Sequence, residues 1–149
     1  MTQVSSPLSG RAIGLAAVPD PVFSGAMVGP GTAVDPERGS SEAVAPIGGL
    51  VVSLHPHAFV VVNDEGRGVL THLGIDTVQL NGEGFELIVA KGDRVERGQP
   101  VIRWDTVAVE EAGKSPISPV VALEAAAGAL SAVAEDGEIK AGEALFTWE

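Results

Sequence analysis

Residues 69–85 read Val69-Leu70-Thr71-His72-Leu73-Gly74-Ile75-Asp76-Thr77-Val78-Gln79-Leu80-Asn81-Gly82-Glu83-Gly84-Phe85. The pattern from Val69 to Leu73 predicts a short strand that carries His72. Gly74 then leaves room beside the ring for a group the size of phosphate. Asp76 and Thr77 form a local turn signal, and Gly82-Glu83-Gly84 closes the segment before a second apolar strand from Phe85. Fifteen residues before His72 stands His57, in His55-Pro56-His57-Ala58-Phe59-Val60-Val61-Val62. Strands this close in sequence commonly pair, so the two histidines can meet.

Working outward, a chain of 149 residues fits one domain with a core of its own, with residues 1–5 expected as a flexible tail. Nineteen glycines, ten prolines and abundant valine predict many short strands joined by tight turns. Strands do not alternate with helices, which argues against a parallel sheet and for an all-β, antiparallel sandwich or irregular barrel-like fold. One helical window stands out, Thr106 to Ala112, with Asp105 as N-cap and Gly113 as stop.

The remaining elements follow the same logic. Leu8, Ala12, Ile13 and Leu15 suggest a strand pair around Gly10. The prolines of Val18-Pro19-Asp20-Pro21 end it, and Val22-Phe23 forms an apolar plug. Thr32-Ala33-Val34 reads as a strand, residues 35–42 as a polar loop, and 43–46 and 50–54 as a hairpin about Gly48-Gly49. Residues 85–89, 101–104, 115–123 and 145–148 are further strand candidates. Lys91-Gly92-Asp93-Arg94-Val95-Glu96-Arg97-Gly98 is a turn pattern shared with biotinyl- and lipoyl-type barrels. Glu138-Ile139-Lys140-Ala141-Gly142-Glu143 echoes it, which hints at an internal repeat.

Charge narrows the function classes. Nine Lys and Arg against 20 Asp and Glu give a net charge of −11. A nucleic-acid backbone would be repelled, whereas basic partner faces would be attracted. With no cysteine, disulfides, thiol catalysis and cysteine–zinc sites are excluded. The start lacks the basic and apolar regions of a signal peptide, and no stretch has the length of a membrane span, so a cytoplasmic protein without direct membrane insertion is expected.

The run Thr71-His72-Leu73-Gly74-Ile75-Asp76-Thr77-Val78, followed by Leu80-Asn81-Gly82-Glu83-Gly84-Phe85, resembles the signature of the IIA domain of the bacterial phosphoenolpyruvate:sugar phosphotransferase system, glucose family. His57-Ala58-Phe59 resembles that family's second histidine motif, Ala45-Pro46 with Gly48 its turn region, and Ser6-Pro7-Leu8-Ser9-Gly10 its opening strand. The similarity runs from about Ser6 to Glu149. It implies an antiparallel β-sandwich of the duplicated hybrid motif type with one or two short helices. It also implies a phosphocarrier that takes a phosphoryl group from the histidine phosphocarrier protein and passes it to a cysteine on the IIB domain of a sugar permease, with docking to regulated enzymes or transporters as a further role.

On that resemblance His72 is the phosphoryl acceptor, His57 its stabiliser, and Asp76 a rim residue that meets a partner's arginine or else only closes the turn with Thr77. Phe59, Leu70, Leu73 and Val78 are candidates for an aliphatic docking collar, or for core. His55 and Thr71 are candidate supporting residues. His55 departs from the family, which often has threonine there; Pro30 replaces a common aspartate and Leu70 a common phenylalanine. The chemistry is sound without any cofactor, since a neutral imidazole nitrogen is nucleophilic near pH 7 and a second imidazole can hydrogen-bond the phosphoryl oxygens.

Two other classes compete. His55-x-His57 with His72 supplies three imidazoles, the ligand number of a catalytic zinc in a β-sheet metallopeptidase type of hydrolase. No His-x-x-x-Asp ligand pair or second-shell base accompanies them. Adventitious or partner-shared zinc at His57 and His72 is the stronger metal reading. A swinging-arm carrier would need a lysine at a hairpin tip in a characteristic setting, and Lys91, Lys114 and Lys140 lack it.

Overall fold

The computed structural model describes residues 1–149. Its strands are β1 (Thr2–Ser5), β2 (Gly10–Ala12), β3 (Gly31–Pro36), β4 (Ser40–Val44), β5 (Gly49–His55), β6 (Ala58–Val62) and β7 (Gly68–His72). After these come β8 (Phe85–Leu87), β9 (Arg94–Val95), β10 (Pro100–Asp105), β11 (Ser118–Ala122), β12 (Leu130–Ser131), β13 (Glu138–Ile139) and β14 (Ala144–Trp148). Two short helices are present, α1 (Pro21–Ser24) and α2 (Thr106–Glu111), with 3₁₀ turns at Leu15–Ala17 and Thr77–Leu80.

Every pairing is antiparallel. An eight-stranded sheet runs in the order β13-β2-β3-β11-β7-β6-β5-β9, and two three-stranded sheets run β1-β14-β12 and β4-β10-β8. The main core, built around Phe59, Trp104, Phe146 and Val61, lies between the sheets. A smaller cluster of Leu15, Val18, Phe23, Ala33, Ile75 and Val121 lies under the segment that carries α1. The fold is the antiparallel β-sandwich that the composition and the family resemblance imply, and it does not close into a barrel.

Several expectations are corrected. Residues 1–5 contain β1, which pairs with β14 from Thr2↔Trp148 onward, where a flexible tail was expected. The strand pair about Gly10 does not form, because β1 and β2 belong to different sheets. The same holds for the hairpin about Gly48-Gly49: β4 pairs with β10, whereas β5 pairs with β6 and β9. In both places the chain crosses between layers, burying apolar side chains against two sheets rather than one. The loop expected at 35–42 is shorter, since β3 runs to Pro36 and β4 starts at Ser40. The helix at 106–112 forms as α2, with the Asp105 carboxylate accepting from the Val107 and Ala108 N–H groups and Gly113 at φ +84° beyond the Ala112 C-cap.

The repeat hinted at by the two glycine turns is a property of the backbone. The N–H of Gly98 donates to Ala45 O and that of Gly142 to Ser6 O, both at 2.8 Å. Return bonds join Ala45 N–H to Gln99 O at 2.9 Å and Ser6 N–H to Glu143 O at 2.8 Å. Side chains repeat as well, since the Glu96 N–H donates to Gln99 Oε1 and the Lys140 N–H to Glu143 Oε1. Ser6-Pro7 and Ala45-Pro46 then cross, with Ser5 N–H bonded to Pro46 O and Val44 N–H to Pro7 O.

Candidate functional site

Pairing of β6 with β7 sets the site. Ala58 stands opposite His72, and Pro56-His57 is the turn that enters β6, so the His57 ring arrives beside His72. The two rings meet edge to face with centroids 5.2 Å apart. The Leu73 N–H donates to His57 O at 2.7 Å, which locks the turn to the end of β7. The two histidines that the sequence singled out are therefore neighbours on one face.

Strand periodicity separates the remaining candidates. Along β7, Val69 and Thr71 are buried while Leu70 and His72 are only partly covered, so His72 shares its face with Leu70. Thr71 is fully buried and its Oγ1 has no hydrogen-bond partner, which removes it from the supporting role. Phe59 and Leu73 are also fully buried in the main core and cannot form a docking collar. Val78 remains, 59 % exposed in the 3₁₀ turn, and Leu70 packs against the smaller cluster.

The His72 ring is oriented by its own backbone. Nδ1 lies 2.6 Å from Gly74 O. A carbonyl can only accept, so Nδ1 carries the proton and Nε2 keeps its lone pair. Gly74 sits at φ +82°, and a Cβ there would lie 2.6 Å from Thr77 Cγ2 and 2.8 Å from Ser115 O. Glycine is thus required by the backbone and by its packed neighbours. Thr77 Oγ1 donates to Leu73 O at 2.7 Å, and Gly74 N–H donates to Ser118 Oγ at 3.2 Å, tying the turn from both sides.

Two residues that the sequence reading did not assign to the site complete the surroundings. Phe23, on α1, packs its ring on His72 with centroids 5.1 Å apart. Asp20 caps that helix by accepting from the Val22 N–H at 2.9 Å, and Pro21 occupies the first helical position. Asp followed by Pro is a start signal for a helix as well as a break in a strand, and only the second meaning was drawn from it. Asp76 takes the left-handed conformation (φ 59°, ψ 17°); it is exposed and its side chain makes no capping bond. Its carboxylate is accordingly available at the rim.

Burial pushes the His72 imidazole below its ordinary value, opposed by the Gly74 carbonyl and by the charges of Asp20 and Asp76. His57 is lowered too, by burial first and then by the nearby imidazoles of His72 and His55. Both rings therefore favour the neutral form near pH 7, the form in which a nitrogen can attack. His55 closes a row, its centroid 5.8 Å from that of His57.

The three histidines do not assemble a complete metal centre from this chain's side chains. No group of three or more His, Cys, Asp or Glu side chains is placed to hold an ion, so the three-ligand zinc of the hydrolase reading is not assembled. His57 and His72 supply two ligands, so zinc between them would take its remaining ligands from a partner or from water. What the arrangement can do is group transfer: a neutral, oriented imidazole with a second imidazole alongside it at an open face.

A β-sandwich with such a pair has the form of a carrier that holds a group on histidine. Comparison with known proteins agrees with that class. Residues 2–128 match the family described as phosphoenolpyruvate-dependent sugar phosphotransferase system, EIIA 1, and the chain belongs to that family. The glucose-specific EIIA component of Staphylococcus aureus is 41% identical over 120 residues, 79% of this chain and 71% of that protein. The glucoside-specific EIICBA component of Staphylococcus carnosus is 37% identical over 145 residues, 96% of this chain but 20% of that longer protein. Among solved structures, the glucose permease IIA from Mycoplasma capricolum superposes with a TM-score of 0.89 at 33% identity, covering 97% of this chain and 93% of that one. The protein is a phosphocarrier component of the sugar phosphotransferase system, and the zinc-hydrolase alternative finds no support.

Proposed function

We propose that the phosphoryl group is carried on Nε2 of His72 and that His57 supports it there. The observation that carries this reading is the 2.6 Å contact of His72 Nδ1 with Gly74 O, which leaves Nε2 as the nucleophile beside His57. The donor is the histidine phosphocarrier protein. As the Nε2–P bond forms, the donor's N–P bond breaks and its imidazole departs with the electron pair. In the second step a cysteine thiolate of a IIB domain attacks phosphorus, and the bonding pair returns to Nε2. His57 donates a hydrogen bond to the phosphoryl oxygens in both steps, so little reorganisation is needed as charge moves.

Residues 1–149 act as one such unit. Docking uses the open face around His72: Asp20 and Asp76 flank it with negative charge, and Val22 and Val78, 41 % and 59 % exposed, supply apolar contact. A net charge of −11 steers partners with basic rims towards this surface. The glucose-specific names of several relatives favour a permease of glucose type, with docking of the unphosphorylated face to other enzymes or transporters as a second use. No cofactor is required by these steps. No helix is long and apolar enough to cross a membrane, and a cytoplasmic carrier working at the membrane face fits the role.

The test is transfer from radiolabelled phosphoenolpyruvate through the two general phosphotransferase proteins. The chain should take up acid-labile phosphate, and His72→Ala should take up none. His57→Ala should accept but pass phosphate on about 100-fold more slowly, the scale of losing one prepositioned donor. Label retained in His72→Ala, or label stable to acid, overturns the assignment.

A further inference from the structure

Three imidazoles stand in a row at this face, and the transfer chemistry uses only two of them. His55 ends β5, pairs across the turn with Ala58, and is exposed, while its ring centroid lies 5.8 Å from that of His57 at an interplanar angle of 33°. The turn between them is the two residues Pro56-His57, and neither takes a positive φ. Gly82 packs toward Pro56, where a Cβ would lie 3.5 Å from the ring, so a second loop braces the turn. The His55–His57 spacing is therefore built in by a short, supported hairpin.

We infer that His55 is a positioning residue for the phosphoryl site: through its ring beside His57 it sets the pH range over which His72 accepts a phosphoryl group. This rests on the reading of His72 as acceptor. The cause is electrostatic. A proton on His57 in the empty site would aim a positive N–H at the region of the His72 lone pair and blunt the nucleophile. Burial and then the His72 imidazole hold His57 below its ordinary value, and charge on His55 at this spacing adds to them, so that His57 stays neutral further down in pH until a phosphoryl dianion arrives to draw the proton in. The other charged groups near the row act elsewhere: Asp20 before α1 and Asp76 before the 3₁₀ turn both act on His72. Glu83, in the loop on Pro56, is exposed. None of these carboxylates is among the groups that shift His57.

The experiment compares His55→Gln, which cannot charge, with His55→Lys, which carries charge throughout. NMR titration of His57 in the unphosphorylated protein should show its midpoint rising in His55→Gln and not in His55→Lys. Acceptance of phosphate by His72 should lose about two- to fivefold more rate between pH 8 and pH 6 in His55→Gln than in the parent chain, the size of one charge pair at a partly exposed site. His55→Lys should not show that extra loss. If both variants move the His57 midpoint the same way, or neither moves it while the parent still accepts phosphate on His72, His55 is only a structural residue and the inference fails. If the parent takes up no phosphate on His72, it is the reading of the acceptor itself that fails.

Discussion

Gly74 shows how one residue without a side chain disposes of another. Its carbonyl accepts a hydrogen bond from the Nδ1–H of His72, its N–H donates to Ser118 Oγ, and its left-handed φ turns the chain away from β7. The importance of this glycine is visible in the sequence, but its reason is not, because which neighbours crowd a Cα depends on Thr77 and on Ser115 forty-one positions on. A pH dependence belongs to the same scale. In the native state both His72 and His57 are held below the ordinary imidazole value, so the unfolded chain binds more protons as pH falls through that value. Their contribution to stability is complete above the unfolded value and declines as pH drops toward the lower native ones. We expect the melting temperature to fall between pH 7.5 and pH 5.5, a window above most carboxylate titration, and the His57→Gln/His72→Gln double variant to lose most of that slope. Calorimetry across the range decides it; an unchanged slope would remove these two rings as the cause.

At the scale of elements, the two helices have the same kind of cap and different consequences. Asp105 opens α2 with bonds of 2.9 and 3.3 Å to the Val107 and Ala108 N–H groups, far in sequence from the histidines. Asp20 opens α1, whose Phe23 lies on His72, and its charge acts on that ring. Replacing either by alanine should cost about 1 kcal/mol in urea unfolding, the usual loss of an N-cap. Only Asp20→Ala should also slow phosphate uptake, because Phe23 and the ring it covers would lose their fixed relation. Equal transfer rates in the two variants would mean that α1 does not hold the site. The longer helix was legible because Asp105 and Gly113 bracket seven helix-compatible residues. The shorter one was not, since Pro19 and Pro21, on either side of its cap Asp20, read equally as the end of a strand.

Over the whole molecule, two related crossovers organise the sandwich. Gly10 and Gly49 occupy matching places after Pro7 and Pro46, and a Cβ on either would lie 2.2 Å from Asp35 O or 2.1 Å from Val62 O. Gly98, by contrast, has a positive φ of +90° and nothing within 4 Å of its would-be Cβ. Gly49→Ala should therefore cost about 3 kcal/mol or more through a backbone clash, and Gly98→Ala about 1 kcal/mol through conformation alone. Comparable losses in chemical denaturation would show that the crossover is not a tight point of the fold. The β character, the strand that carries His72, the N- and C-terminal signals of α2 and the echo between the glycine turns are legible in the amino-acid order, because each rests on chemistry within a few residues. Long-range packing places β4 and β5 in different sheets, turns Phe59, Thr71 and Leu73 to the core, and sets Phe23 over His72 while His55 and His57 extend a row from it. A strand's period states that two faces alternate; which face is inward depends on packing partners tens of residues away.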